Sequence, residues 1–394
     1  MIMNLKHLLG ISFFLLSLGI LHGQNRQSDT TSTYRSLIPT GKQSLLKNID
    51  MIANTQIAFR SDFFEGEHVE SKFRMEQFRL EIKGYVHEKI YFRFRHRYTS
   101  SFEPQSIDKI IKGVDFAYLT FTLSDKVNLT LGKTYADWGG IEFDLNPIDV
   151  FEFSDIIEYA DNFLTGVGVY WQATERNGFS FQILNSRTQT FEELYQGLPG
   201  VEGSDIPLAA VINWRGKFWD GKFTTLWSYS IFNEAKDTFK NYIALGNQLT
   251  LDKLAIAYDF KWSKEDLDRT GIISRDVPDD LYPYALQNTL YYSHWTRIDY
   301  RFAEKWGLSF SGFIDTAKWL SDIDPEKTTD HWRTGYGIVP SLEFYPWNDI
   351  NLKFFATYVG RQYKYSDYAK SRVGLQDYNT SRFMIGVISP LHIF

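Results

Sequence analysis

Three arginines occupy alternate positions in the segment 90–97: Arg93, Arg95 and Arg97. On an extended strand, alternate side chains leave the same face. A rise of about 3.4 Å per residue then sets the three guanidinium groups roughly 7 Å apart, as a ladder. A guanidinium is a rigid fork of donors that holds an oxyanion through paired hydrogen bonds. The chemistry is anion binding or, if carboxylates stand opposite, bracing of a wall. The segment 134–163 has the opposite sign. It carries Asp137, Glu142, Asp144, Asp149, Glu152, Asp155, Glu158 and Asp161, and no Lys or Arg. A connection of about 30 residues in a compact fold is usually functional. Folded inward, it would face a basic wall across a narrow gate. Otherwise it would lie over a mouth or against a neighbouring subunit. Its carboxylates match no familiar Ca²⁺-loop spacing, so neither metal nor cofactor is expected.

The elements that must position these groups read with period two. Leu254, Ile256, Tyr258 and Phe260 alternate with Ala255, Ala257, Asp259 and Lys261, and Phe78, Leu80 and Ile82 alternate with Arg79, Glu81 and Lys83. Each such segment has one apolar and one polar face. Sixteen are found, starting near residues 52, 73, 90, 114, 127, 165, 179, 209, 223, 239, 254, 288, 306, 333, 350 and 378. Their connections alternate between short turns, such as 124–126 and 303–305, and longer loops near 65–71, 99–113, 134–163, 186–208, 233–238, 263–287, 317–332 and 364–377. Short turns on one side and long loops on the other are the pattern of an outer-membrane barrel.

Physics closes that argument. A sheet in lipid must satisfy every backbone N–H and C=O, so it has to close on itself. Strands of about 9–11 residues, strongly tilted, cross the bilayer. The apolar faces meet lipid and the polar faces surround water, since sixteen strands leave an aqueous lumen. Trp171, Trp214, Trp219, Trp262, Trp306 and Trp347 fall where interfacial girdles belong. The expected fold is all-β: a transmembrane antiparallel β-barrel of 16 strands over residues 51–394.

On the polar phase stand Arg60, Arg79, Lys83, Arg93, Arg95 and Arg97, followed by Arg215, Lys217, Lys261, Arg297, Arg301, Lys353 and Arg361. Asp62, Glu81, Asp259, Asp299, Asp315 and Glu343 oppose them. Choosing the polar phase guarantees charges but not their sign. The excess of cations predicts a wall that favours anions, because a water-filled hole in a low-dielectric body concentrates the field.

Composition excludes other classes. The chain of 394 residues has no Cys, so disulfides, thiol catalysis and Fe–S clusters are ruled out. Trp 11, Tyr 24 and Phe 32 argue against disorder. The net charge of −6 gives no support to nucleic-acid binding. Residues 1–23, with Lys6 ahead of the apolar run Leu8–Leu21, read as a secretory signal too short to span a bilayer. Residues 24–50 read as a periplasmic linker. Ser293 and His294 are sequence neighbours that leave opposite faces of a strand, so they make no nucleophile–base pair. At about 23 residues per strand and its connection, a 22-stranded transporter would need about 510 residues before its plug.

The sequence resembles the porin O and P family of phosphate-selective porins, in its Bacteroidota form. The resemblance rests on Gln77–Phe–Arg79–Leu–Glu81–Ile–Lys83–Gly84, on Tyr91–Phe–Arg–Phe–Arg95, on Leu131–Gly–Lys133 ahead of the long loop, and on the terminal Phe394. It implies a trimeric outer-membrane channel that binds phosphate through an arginine ladder and a lysine-rich eyelet. Arg93, Arg95 and Arg97 would match the ladder, and Lys133 an eyelet lysine. The loop departs from that pattern in having no lysine. The expected function is passive diffusion of small hydrophilic solutes, with outer-membrane lipid and anions as partners. The alternatives are a lipase-like or protease-like barrel enzyme and a non-conducting structural barrel.

Overall fold

The computed structural model describes residues 49–321 and 324–393. The expected export segment, the expected linker up to residue 48 and Phe394 lie outside them. Sixteen strands follow in chain order: β1 (Ile49–Phe64), β2 (Glu67–His87), β3 (Ile90–Arg97), β4 (Val114–Ser124), β5 (Val127–Tyr135), β6 (Phe163–Thr174), β7 (Asn177–Asn185), β8 (Leu208–Phe218), β9 (Phe223–Ala235), β10 (Thr238–Thr250), β11 (Leu254–Leu267), β12 (Gln287–Ala303), β13 (Trp306–Trp319), β14 (His331–Phe344), β15 (Lys353–Tyr365) and β16 (Tyr378–His392). Each pairs antiparallel with its chain neighbours. β1 closes the barrel on β16, from Ile52 opposite His392 to Phe64 opposite Thr380. The first strand takes in Ile49 and Asp50, which the alternation had left to the linker.

Period-two burial shows which face is which. In β11, Ala257, Asp259, Lys261, Ser263 and Glu265 are buried, whereas Ile256 and Tyr258 are exposed on the outer wall. Exposed Trp171, Trp219, Trp306 and Trp347 gather at the short-turn end, where an interfacial girdle belongs.

Two connections expected to be long are two-residue turns, at Glu65–Gly66 and Lys236–Asp237. The polar residues around them belong to strands that continue past the apolar band. Glu65 and Gly66 both have positive φ, at 50° and 82°, which matches the twist of a tight hairpin.

The connection between β5 and β6, residues 136–162, lies inside the barrel. Its turn Gly139–Gly140 runs along β10 and β11, and its tip reaches β15, β16 and β1. There Ile148, fully buried, packs with Ala58, Phe355, Met384 and Ile388. Burying a side chain of this kind is worth roughly 1.5–3 kcal/mol. At the near end Trp138, 2% exposed, packs against Tyr242 and Phe232 with ring centroids 4.5 and 5.8 Å away. The loop thus lies along the lumen wall from β8 round to β1.

Candidate functional site

The loop is clamped by charge as well as by packing. Asp259 of β11 accepts the backbone N–H groups of Ile141 and Glu142, both at 2.8 Å. Glu142 pairs with Lys261 and accepts from the Ser154 hydroxyl at 2.6 Å. Asp137 and Asp144 share Arg215, at 2.7 and 2.6 Å. Asp149 meets Lys353 at 2.6 Å, beside the short turn that precedes β15. Glu152 meets Arg382 at 2.7 Å, and Asp155 meets Arg333 at 2.9 Å as well as Arg361. Asp161 pairs with Arg269. Among the described residues Glu158 is the one loop carboxylate without an ion pair. Within the loop a single helical turn runs from Asp155 to Glu158. Ser154 precedes it, but its hydroxyl goes to Glu142 instead of capping that turn.

The basic strip on β2 and β3 is built differently. Asp115 is the extra residue of a β-bulge, where Arg95 faces Phe116 and His96 faces Val114. The bulge turns Asp115 inward, fully buried. Arg95 donates to it at 3.0 Å, and Arg79 and Arg97 each stand 3.8 Å from it. Arg93 donates to Glu81 at 2.9 Å. The ladder is therefore not a row of equal rungs. Arg95 is buried at 6% exposure, its guanidinium 4.1 Å from the Phe116 ring centre and 5.5 Å from that of Phe163. Arg93 and Arg97 are more open, with side chains 17% and 30% exposed. Arg79 is buried, and its Nε and Nη1 have no hydrogen-bond partner among the described residues.

The remaining sequence candidates divide. Lys83 faces inward, half-buried, on the same strip. Lys133 also faces inward, but its ammonium is held by Asp108 at 2.7 Å and Gln105 at 2.6 Å. Both partners come from the connection between β3 and β4. Arg297 pairs with Asp299 at 3.0 Å and donates to the Asp149 carbonyl. Arg301 lies over the Tyr345 ring at 3.4 Å, and Lys217 is exposed beside a short turn. Arg215 and Arg297 thus hold the loop, while Arg79, Arg93, Arg95 and Arg97 form the strip.

Some site residues escaped the sequence reading. Asp115 could not be placed, because a bulge breaks the alternation that assigns faces. Arg333 shares the parity of the inward Glu343 and could have been found. Asp108 lies in a loop with no periodicity to assign it. Ser293 is buried on the inner face, whereas His294 lies outside, bonded to the Tyr258 hydroxyl at 2.8 Å. Among the described residues no group of His, Asp and Glu side chains is arranged to hold a metal.

The family profile described as phosphate-selective porin O and P matches residues 49–387. No curated protein matches. Among solved structures, the outer-membrane channel DcaP of Acinetobacter baumannii aligns with TM-score 0.58 at 9% identity, over 86% of this chain and 96% of that one. Salmonella typhi OmpF in complex with daunomycin gives 0.56 at 12% identity, over 86% and 98%. The outer-membrane-expressed OmpT of Vibrio cholerae gives 0.54 at 10% identity, over 86% and 97%. At such identities these likenesses concern the fold. Taken with the family match and the closed sixteen-stranded wall, they place this chain in the phosphate-selective porin O and P family, as an outer-membrane channel for passive diffusion.

Proposed function

We propose that this porin favours small anions, with phosphate-like oxyanions the solutes best suited to its basic strip. One observation carries the reading. Seven of the eight carboxylates in segment 134–163 are paired with bases. The acidic loop therefore does not cancel the opposite sector. There Arg79, Arg95 and Arg97 share the single carboxylate of Asp115, and Arg93 pairs with Glu81. Buried cationic donors that lack acceptors stabilise an anion passing within reach. The work is diffusion through a gate between strip and loop, with charge and width sorting the solutes. A barrel enzyme is disfavoured, because Ser293 and His294 leave opposite faces.

The same reading includes export through residues 1–23 and assembly as a homotrimer. In support of assembly, β2 pairs with β3 only from Arg79 onward, so Val69, Phe73 and Met75 stand exposed on a hairpin with a free edge. Planar-bilayer recordings in a KCl gradient test the selectivity. The expected reversal potential has the sign of chloride preference, and phosphate is expected to interrupt the chloride current. A cation-selective potential would overturn the proposal.

A further inference from the structure

At the end of the barrel that carries the long loops, three connections enclose a cavity of about 260 Å³. Tyr159 comes from the loop between β5 and β6. Gln189 and Gln196 come from the connection between β7 and β8. Arg275, Asp279 and Tyr284 come from the connection between β11 and β12. The volume lies just below the roughly 300–1,000 Å³ range of drug-sized ligand pockets, which suits a small ligand such as a mono- or disaccharide.

The charges at the floor are already engaged. Arg269 pairs with Asp161 and stands 3.7 Å from Glu234. Asp268 accepts from the Tyr291 hydroxyl at 2.5 Å, the Ser274 hydroxyl at 2.6 Å and the Gly271 N–H at 2.9 Å. Arg275 lies over the Tyr159 ring at 3.9 Å and donates to the carbonyls of Gly271 and Thr270. Open to a ligand are the phenol of Tyr284, the amides of Gln189 and Gln196, and the exposed carboxylate of Asp279. Among the described residues, the two lining guanidiniums are already held, Arg269 by carboxylates and Arg275 by backbone carbonyls and the Tyr159 ring. Amides both donate and accept, a carboxylate accepts, and a phenol offers an apolar face with a polar tip. A ring with C–H faces and a rim of hydroxyls meets all three.

We propose that this cavity is a saccharide-binding vestibule, which holds neutral sugars at the loop-side mouth ahead of the gate. The site is independent of the anion-selective strip.

Isothermal titration calorimetry of the folded full-length protein in detergent tests it, with maltose as the probe and inorganic phosphate as the comparison. No conduction is needed, so failure of the channel reading would not disturb the result. Saturable maltose binding is expected. The double variant Gln189→Ala with Tyr284→Ala should weaken it at least about tenfold, and Tyr284→Phe, which keeps the ring, should lose far less. Unchanged circular dichroism and melting would show that the variants fold. Absence of maltose binding to folded wild-type protein, unchanged affinity in the double variant, or displacement of maltose by phosphate would each overturn the proposal.

Discussion

The ammonium of Lys261 meets the carboxylate of Glu142, 119 residues earlier in the chain, with both side chains fully buried. This pair joins a wall strand to the start of the inward-folded loop. It also compensates Asp259, whose carboxylate lies 3.8 Å from Lys261. Lys261→Met would leave two buried carboxylates without their cation. An uncompensated buried charge costs about 3–5 kcal/mol. Urea unfolding should show a loss of that order, and the loop should become sensitive to protease. Adding Glu142→Gln should restore part of the stability. A single variant that unfolds like wild type would show that packing alone holds the loop.

Gly246 on β10 sits where the loop backbone touches the wall. A Cβ there would lie 2.7 Å from Asp259 Oδ1, 2.8 Å from the Ile141 nitrogen and 3.0 Å from the Gly140 Cα. Two of these are backbone atoms, and the Asp259 carboxylate is held by the Ile141 and Glu142 N–H groups, so none can easily swing aside. Gly246→Ala is expected to lift this part of the loop off the wall and into the lumen. Single-channel conductance should fall and the open-channel noise should rise. Wild-type conductance would mean that the loop sets no limit on the current.

Much of this architecture was legible in the chain because lipid imposes a strict rule. Every strand needs one apolar face, so alternation along β11 or β15 marks both the strand and its direction of facing. Closure and strand number followed from the same pattern. Pairing inside the lumen did not. Arg95 and Arg93 look equivalent in sequence, yet the bulge at Asp115 buries one and leaves the other more open. Lys133 looks like a free lysine until Asp108 arrives from a loop without periodicity. Such meetings depend on where irregular backbone travels, and residue type alone does not encode that.

Within the basic strip, the open rungs and the buried counter-ion should fail differently. Arg93→Ala with Arg97→Ala removes the two more exposed guanidiniums and leaves Glu81 without the Nε donor of Arg93. The fold should survive, and the reversal potential should move toward zero or toward cations. Asp115→Asn instead leaves Arg79, Arg95 and Arg97 without their shared carboxylate. Mutual repulsion of buried cations should cost about 3–5 kcal/mol, read as a lower denaturation midpoint. If the double variant keeps the wild-type potential, the strip does not set selectivity.

Glu158 supplies the pH dependence. Partial burial raises its pKa to about 6, and the neighbouring carboxylate of Glu152 adds to the rise. Its ordinary value is 4.5, so between about 6 and 4.5 the folded protein holds a proton that the unfolded chain releases. Folding is therefore favoured as pH falls through that window, and above it the ionised carboxylate is destabilising. The same protonation removes the one loop carboxylate that has no ion pair among the described residues. Anion preference should accordingly strengthen between pH 7 and pH 5. Glu158→Gln should show the strengthened preference at both values and lose the dependence. Reversal potentials recorded at the two pH values decide it, and a pH effect that persists in Glu158→Gln would assign the titration to another group.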